Sequence, residues 1–324
     1  MNSQFPNIED SEIIEEITLG TAAPKQEQEP PPQETGESTD AVRQASFEFV
    51  TKLAYELSSN KFDLPPFPDV AIRVRAALND PNVTLDKIAQ VVRSEPILVT
   101  RLLRLVNSAM LKRGPMDVTD IKMAINRLGF DMVRNASVSM AMDSTFAAPE
   151  GSVLRSHITN NRKHSVLVAS LSYLLAKRDR NFKKPDEAML AGMLHDIGKF
   201  YILTRVEDFP ALFENATALF ELMTEWHCGV GRAIVESWGF PEQIVNAVDE
   251  HHELDRDHDG QPDITDIVTV ANLIAHLENP EFSDQPDMDK IPACIKLGIN
   301  EELGKNLLIE SKDEVKSLSQ ALHR

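Results

Sequence analysis

Apolar residues recur along most of the chain at steps of three and four, the spacing of one face of an α-helix. Val42, Ala45, Phe49, Leu53 and Leu57 form the first such stripe. Thr84 stands where its hydroxyl can cap LDKIAQVVRS by accepting a free first-turn amide. Glu95-Pro96 stops that helix and starts the next, because proline lacks an amide hydrogen yet is tolerated at the first helical position. PILVTRLLRLVNSAM then runs to the Arg113-Gly114-Pro115 turn, and IKMAINRLG ends on Gly129, a residue suited to a left-handed C-cap. FDMVRNASVSMAMDSTF follows. No Val/Ile/Thr alternation bounded by hairpin turns interrupts this pattern.

The fold class expected is therefore all-α, with two helical lobes. Residues 41–145 form an N-terminal helical bundle of about five or six short helices. Ser144 to Ser152, with Pro149 and Gly151, reads as the joint. Residues 146–324 form the second lobe and its C-terminal helix. Helices are expected near 154–177, 186–195, 212–226, 230–238, 241–251 and 264–277, and again from Asn300 onward. Residues 1–40 lack this pattern. KQEQEPPPQETGESTD is polar and proline-rich, with too little apolar surface to offset the entropy of ordering, so a disordered acidic tail is expected. Ile8, Ile13, Ile14, Ile17 and Leu19, set among acids, are the exception and suit a linear motif that folds on a partner.

Charge sharpens this division. The chain of 324 residues carries a formal charge of −18, from 51 acids and 33 bases. Half of it lies in the tail, which has ten acids and one base, Lys25. The first lobe is at +3 and the remainder at −12. Such acidity argues against nucleic acid and anionic membranes as partners. No run of eighteen apolar residues and no secretory leader is present, and Cys228 and Cys294 have no framework spacing, so a reducing cytoplasm is expected.

The chemistry concentrates in the second lobe. His164, His195, His227, His251 and His252 fall on its helices or helix ends, and MLHDIGK is its sharpest element. Adjacent helical side chains diverge by about 100°. His195 and Asp196 can share a metal only where the helix distorts or its neighbours converge, and Gly198 is expected to permit such a distortion. Imidazole plus carboxylate suits Fe, Mn or Zn.

HDIGK, with His164 upstream and EHHE downstream, resembles the HD superfamily of metal-dependent phosphohydrolases. LPPFPDVAIRV, SEPILVTRLLRLVNSAM, IKMAINRLG and WGFPEQIVNAVDEHH narrow the likeness to the HDOD domain, related to the HD-GYP domain of cyclic-di-GMP phosphodiesterases. The resemblance covers roughly residues 45–280. It implies an HD-like helical second lobe, a bacterial signalling context, and a non-hydrolytic module acting through protein contacts. It puts His164, His195, Asp196, His227, His251 and His252 on metal-ligand positions, with Lys199 as a phosphate contact if the chain is an enzyme. Two positions depart from the pattern. Asn272 stands at the terminal aspartate of the HD set, and Asn160 at a glutamate used by some three-metal members. The GYP loop is replaced by LDRDHDGQPD. Each asparagine removes a negative charge, so metal binding is retained as an expectation while hydrolysis is disfavoured.

Asp249–Asp266 holds eight acids and one base. Asp255, Asp257, Asp259, Gln261, Asp263 and Asp266 have the spacing of an EF-hand-type calcium loop, with Gly260 at its bend. Pro262 and an aspartate in twelfth place depart from that pattern. The first lobe's bases, Arg101 and Arg104 among them, read by default as a solvated surface, and interleaved acids argue against a nucleic-acid groove. Asn107 and Ser108 read as polar groups closing a packed helix.

The leading expectation is a cytoplasmic HDOD signalling protein, a scaffold or output module binding protein partners, with metal or nucleotide as candidate ligands. The alternatives are an HD-GYP-like metal-dependent phosphohydrolase acting on a nucleotide or cyclic dinucleotide, and a calcium-responsive regulator using loop 255–266.

Overall fold

The computed structural model describes residues 36–59, 67, 69–147, 152, 154–277 and 286–322. Among them all regular structure is helical. The first lobe contains α1 (Gly36–Ser59), α2 (Asp69–Leu78), α3 (Leu85–Arg93), α4 (Pro96–Val106), α5 (Ile121–Leu128) and α6 (Phe130–Thr145). The second contains α7 (Leu154–Arg178), α8 (Pro185–Leu194), α9 (Ile197–Val206), α10 (Pro210–Phe213), α11 (Ala216–Ser237), α12 (Glu242–Glu250) and α13 (Ile264–His276). A 3-10 turn (Met288–Lys290) leads to α14 (Pro292–Leu297), α15 (Glu301–Glu310) and α16 (Lys312–Leu322).

The local signals act as the chain predicts. The Thr84 side chain accepts from Lys87 N at the start of α3, Pro96 opens α4, and Asn300 caps α15. Gly129 ends α5 at φ 86°, a backbone that suits glycine. Asn107 bonds Val118 through both its side-chain atoms, at 2.9 and 2.7 Å, and Ser108 donates to Leu105 O. These polar groups close the end of α4 and tie down the loop beyond it.

α1 is described from Gly36; the rest of the stretch read as a tail, residues 1–35 with Ile8 to Leu19, lies outside the described residues. Two expectations are corrected. The helices expected near 212–226 and 230–238 are one continuous helix, α11, preceded by the single turn α10. Arg101, read as a surface base, is buried.

The lobes are cross-braced. α1 packs on α10 and α11 of the second lobe, and α16 returns to α4, α6 and α7. Phe49 meets Phe209 edge-on with ring centroids 5.4 Å apart, and Arg75 donates to Trp238 O beneath the Phe67 ring. At the centre of the junction, Arg101 on α4 and Arg162 on α7 share Asp143 on α6, at 2.7 and 2.8 Å. Both arginines also bond Ser139. Two buried guanidinium groups thus depend on one carboxylate, an arrangement costly to break from either side. The main core lies between α7, α8, α9, α11, α12 and α13, the helices that carry the histidines.

Candidate metal centre

α8 ends at Leu194, α9 begins at Ile197, and the chain turns between them with Asp196 at φ −100°, ψ 18°. That break swings His195 and Asp196 toward each other, so that His195 Nε2 lies 3.3 Å from Asp196 Oδ2. Gly198 acts differently from the expectation. A Cβ there would lie 2.0 Å from His227 O and 2.9 Å from Gly231 N. Its part is to let α9 and α11 approach until their backbones touch, which brings His227 to Asp196. His251 follows the end of α12, and His164 projects from the middle of α7.

Asp196 is the hub. Its Oδ1 lies 3.4 Å from His227 Nε2 and 3.6 Å from His251 Nε2, and its Oδ2 lies 3.7 Å from His164 Nε2. Donor atoms of Asp196, His227, His251 and His252 converge within 4.8 Å, as do those of His164, His195 and Asp196. Two donor groups therefore share one carboxylate. His195, Asp196, His227 and His251 are at most 1% exposed, whereas His252 is exposed.

The proton positions follow from the backbone. Nδ1 of His195, His227 and His251 reaches the carbonyl oxygens of Gly192, Met223 and Val248 at 2.8, 2.7 and 2.9 Å. A carbonyl only accepts, so each Nδ1 carries its hydrogen and turns Nε2 toward the carboxylate. Burial pushes the His227 pKa down to about 3 and lowers that of His251, which keeps these rings neutral. Burial also opposes ionisation of Asp196, but Lys199 and the imidazoles gathered around it outweigh that cost, and its pKa stays well below the usual carboxylate value.

Lone pairs meeting lone pairs in a buried space need a cation between them. His195 Nε2, His251 Nε2 and Asp196 Oδ1 are buried without a hydrogen-bond partner. Two donors about 2.1 Å from a tetrahedral ion are about 3.4 Å apart. The spacings of 3.3, 3.4 and 3.6 Å around Asp196 match that edge, so these residues fit a divalent ion of the Fe, Mn or Zn class.

The remaining predicted residues are placed as follows. Lys199 donates to Asp196 Oδ2 at 2.8 Å. Asn272 Oδ1 lies 3.0 Å from His164 Nε2, which must then donate its proton, so this ring holds the opposite tautomer from the other three. Asn160 is half-buried one turn before His164. Two neighbours escaped the sequence reading. His276 stacks on His164 with centroids 4.8 Å apart, and Cys228 Sγ lies 3.4 Å from His227 Nε2. His276 is one helical turn beyond Asn272, a spacing that could have flagged it.

Of the calcium-loop residues, Asp263 and Asp266 converge with His258 in a third donor group, and the others do not join it. Asp263 caps α13 in a capping box with Asp266. Arg256 reaches Asp263 at 2.7 Å and Asp266 at 3.2 Å, and His258 reaches Asp266 at 2.8 Å, so these side chains supply the positive charge. Asp255, Asp257 and Asp259 are exposed and, among the described residues, join no convergent donor group; Asp257 pairs with Lys296 at 3.3 Å. Gln261 accepts from Asn181 at 3.2 Å.

Comparisons with known proteins agree with this fold. The family model for the HDOD domain matches residues 64–254. A crystal structure from Shewanella amazonensis, named as that of a candidate metal-dependent phosphohydrolase, superposes with a TM-score of 0.72 at 22% identity, covering 86% of this chain and all of that one (100%). An HDOD domain protein of unknown function from Geobacter sulfurreducens superposes with a TM-score of 0.63 at 24% identity, over 88% of this chain and 99% of that one. In sequence, an uncharacterized protein of Treponema pallidum (strain Nichols) is 25% identical over 238 residues, 69% of this chain. The chain spans 44% of the length of that curated relative. Among the described residues, no helix is long and apolar enough to cross a membrane.

Proposed function

The chain belongs to the HDOD family, and on that premise we propose that it is a signalling module working through protein contacts, which holds a divalent metal at its HD centre without hydrolysing phosphodiesters. His227, His251 and Asp196 would hold the ion, with His195 and His164 on the other side of the carboxylate. A bound ion would supply Lewis acidity and acidify water. The chain's own residues are poorly disposed to use that chemistry. Asn272, at 3.0 Å from His164, is neutral where the HD pattern has a carboxylate, and this observation carries the non-hydrolytic reading. Lys199 is already engaged by Asp196, which draws it from any phosphate. Four donors are almost wholly covered by the packed helices around them. The centre is thus disposed to tie α8, α9, α11 and α12 together, keeping the family's contact surfaces in register.

The phosphohydrolase reading has one observation in its favour: two donor groups sharing an aspartate resemble a two-ion site. Turnover decides between them. The full chain, supplied with Mn or Fe, is assayed on bis(p-nitrophenyl) phosphate and cyclic dinucleotides beside His195→Ala/Asp196→Ala. Equal, background rates are expected. Metal-dependent turnover that the double variant loses would overturn the non-hydrolytic reading.

A further inference from the structure

The tail is acidic and the first lobe basic, and the structure locates the lobe's uncompensated charge. Most bases there are answered: Arg73 by Asp69, Lys87 by Asp80, Lys112 by Asp117, Lys122 by Asp86 and Arg134 by Asp131. Among the described residues, no carboxylate is within ion-pair distance of Arg93, nor of three others, Arg104, Arg113 and Arg127. The elements that carry the last three are tied to one another. Arg127 donates to Arg113 O at 3.3 Å. The loop bearing Arg113 is stapled by Val118 to Asn107, one turn beyond Arg104 on α4. Large apolar side chains emerge on the same elements. Met116 is 80% exposed and Met123, one turn before Arg127, is 48% exposed. Free guanidinium groups beside adaptable methionines suit a ligand that is both acidic and aliphatic.

Residues 8–19 of this chain have that chemistry: five acids, five aliphatics and no base. Residues 20–35 separate them from α1. A spacer of that length extends to about 55 Å, comparable with the diameter of a globule of about 290 residues. Reach therefore does not limit where the segment can dock, and charge decides. Ile72 and Ile97 are also exposed in this lobe, and the largest other exposed rings are on the outer face of α1, Phe47 and Tyr55. Its flanking charges, Arg43 and Lys52 against Asp40 and Glu48, cancel. It offers no net attraction to five acids.

We propose that residues 8–19 dock on the surface formed by Arg104, Arg113, Met116, Met123 and Arg127. The tail then covers this surface and competes with any acidic partner that uses it.

Hydrogen exchange of the full chain, read by mass spectrometry at about 0.05 M and about 1 M salt, tests this, because exposed charge attraction is screened at the higher strength. Amides of residues 8–19 are expected to exchange more slowly at low salt. Arg113→Glu/Arg127→Glu should remove at least about tenfold of that protection, the effect of two or more exposed charge pairs. Ile13→Ser/Ile17→Ser, which leaves the described lobes unaltered and keeps the test valid if the arginine variant misfolds, should raise uptake across residues 112–127. Unprotected exchange in the tail at low salt would overturn the proposal. So would protection that survives Arg113→Glu/Arg127→Glu, that Phe47→Ser/Tyr55→Ser abolishes, or that fades on dilution, the mark of docking on a second copy.

Discussion

Gly198→Ala isolates the packing that builds the metal centre. The added Cβ would sit 2.0 Å from His227 O, 2.8 Å from His227 C and 2.9 Å from Gly231 N, all backbone atoms that no rotamer change can clear. Opening the tightest contact to about 3.0 Å moves α11 from α9 by about 1 Å, an overpacking strain of about 3 kcal/mol. The same shift stretches His227 Nε2 to Asp196 Oδ1 from 3.4 Å to about 4.4 Å. Two donors on one ion span about 3.4 Å in tetrahedral geometry and at most about 4.3 Å when collinear. The variant should therefore lose His227 as a ligand, and zinc or manganese affinity should fall at least about 100-fold. Gly229→Ala is the internal control. It lies on the same helix, nothing is within 4 Å of its Cβ, and it should gain up to about 1 kcal/mol of helix propensity with unchanged affinity. Calorimetric metal titration and thermal unfolding of both variants give the two numbers. Wild-type metal affinity in a destabilised Gly198→Ala protein would refute the coupling between this helix contact and the site.

Other outcomes follow from the same structure. Asp143→Asn leaves Arg101 and Arg162 buried without their shared carboxylate, so urea denaturation should show a loss of about 3–5 kcal/mol. Asn272→Asp places a carboxylate against His164 Nε2, and titration should show at least about tenfold tighter metal binding. Burial, and then the neighbouring Asp131 carboxylate, raise the Asp186 pKa from 3.8 to about 6. The folded chain thus holds this proton where the unfolded chain has lost it, so stability should fall as pH rises from about 4 to 6, by about 1–3 kcal/mol. Asp186→Asn should flatten that part of the pH profile in chemical denaturation.

Local features were legible because their causes are local. Thr84, Pro96 and Gly129 act through their own backbone positions, and the three- and four-residue period fixes which side of each helix is buried. The residues that converge were legible through the HDIGK and EHHE motifs: His164, His195, Asp196, His227, His251 and His252 all fall in the two donor groups. Features set by distant contacts were not. Arg101 looks like any helix-surface base until Asp143 and Ser139, some forty residues away, close over it. Gly198 read as a bend because nothing in the chain reveals that the His227 backbone presses against it. The 255–266 loop has the order of a calcium site, but Arg256 lies within it and satisfies Asp263 and Asp266. α1 opens the first lobe in sequence yet packs on the second, a choice made by Phe209 and Asp208 rather than by its own pattern.

The Nε2 atoms of His227 and His251 that converge on Asp196 should enclose an ion with it. Anomalous scattering at the Mn, Fe and Zn edges, from crystals of the full chain grown with these metals, addresses it most directly. A peak is expected about 2.0–2.2 Å from His227 Nε2, His251 Nε2 and an Asp196 oxygen. A map with no peak there, with Asp196 held only by Lys199 and protonated imidazoles, would contradict it.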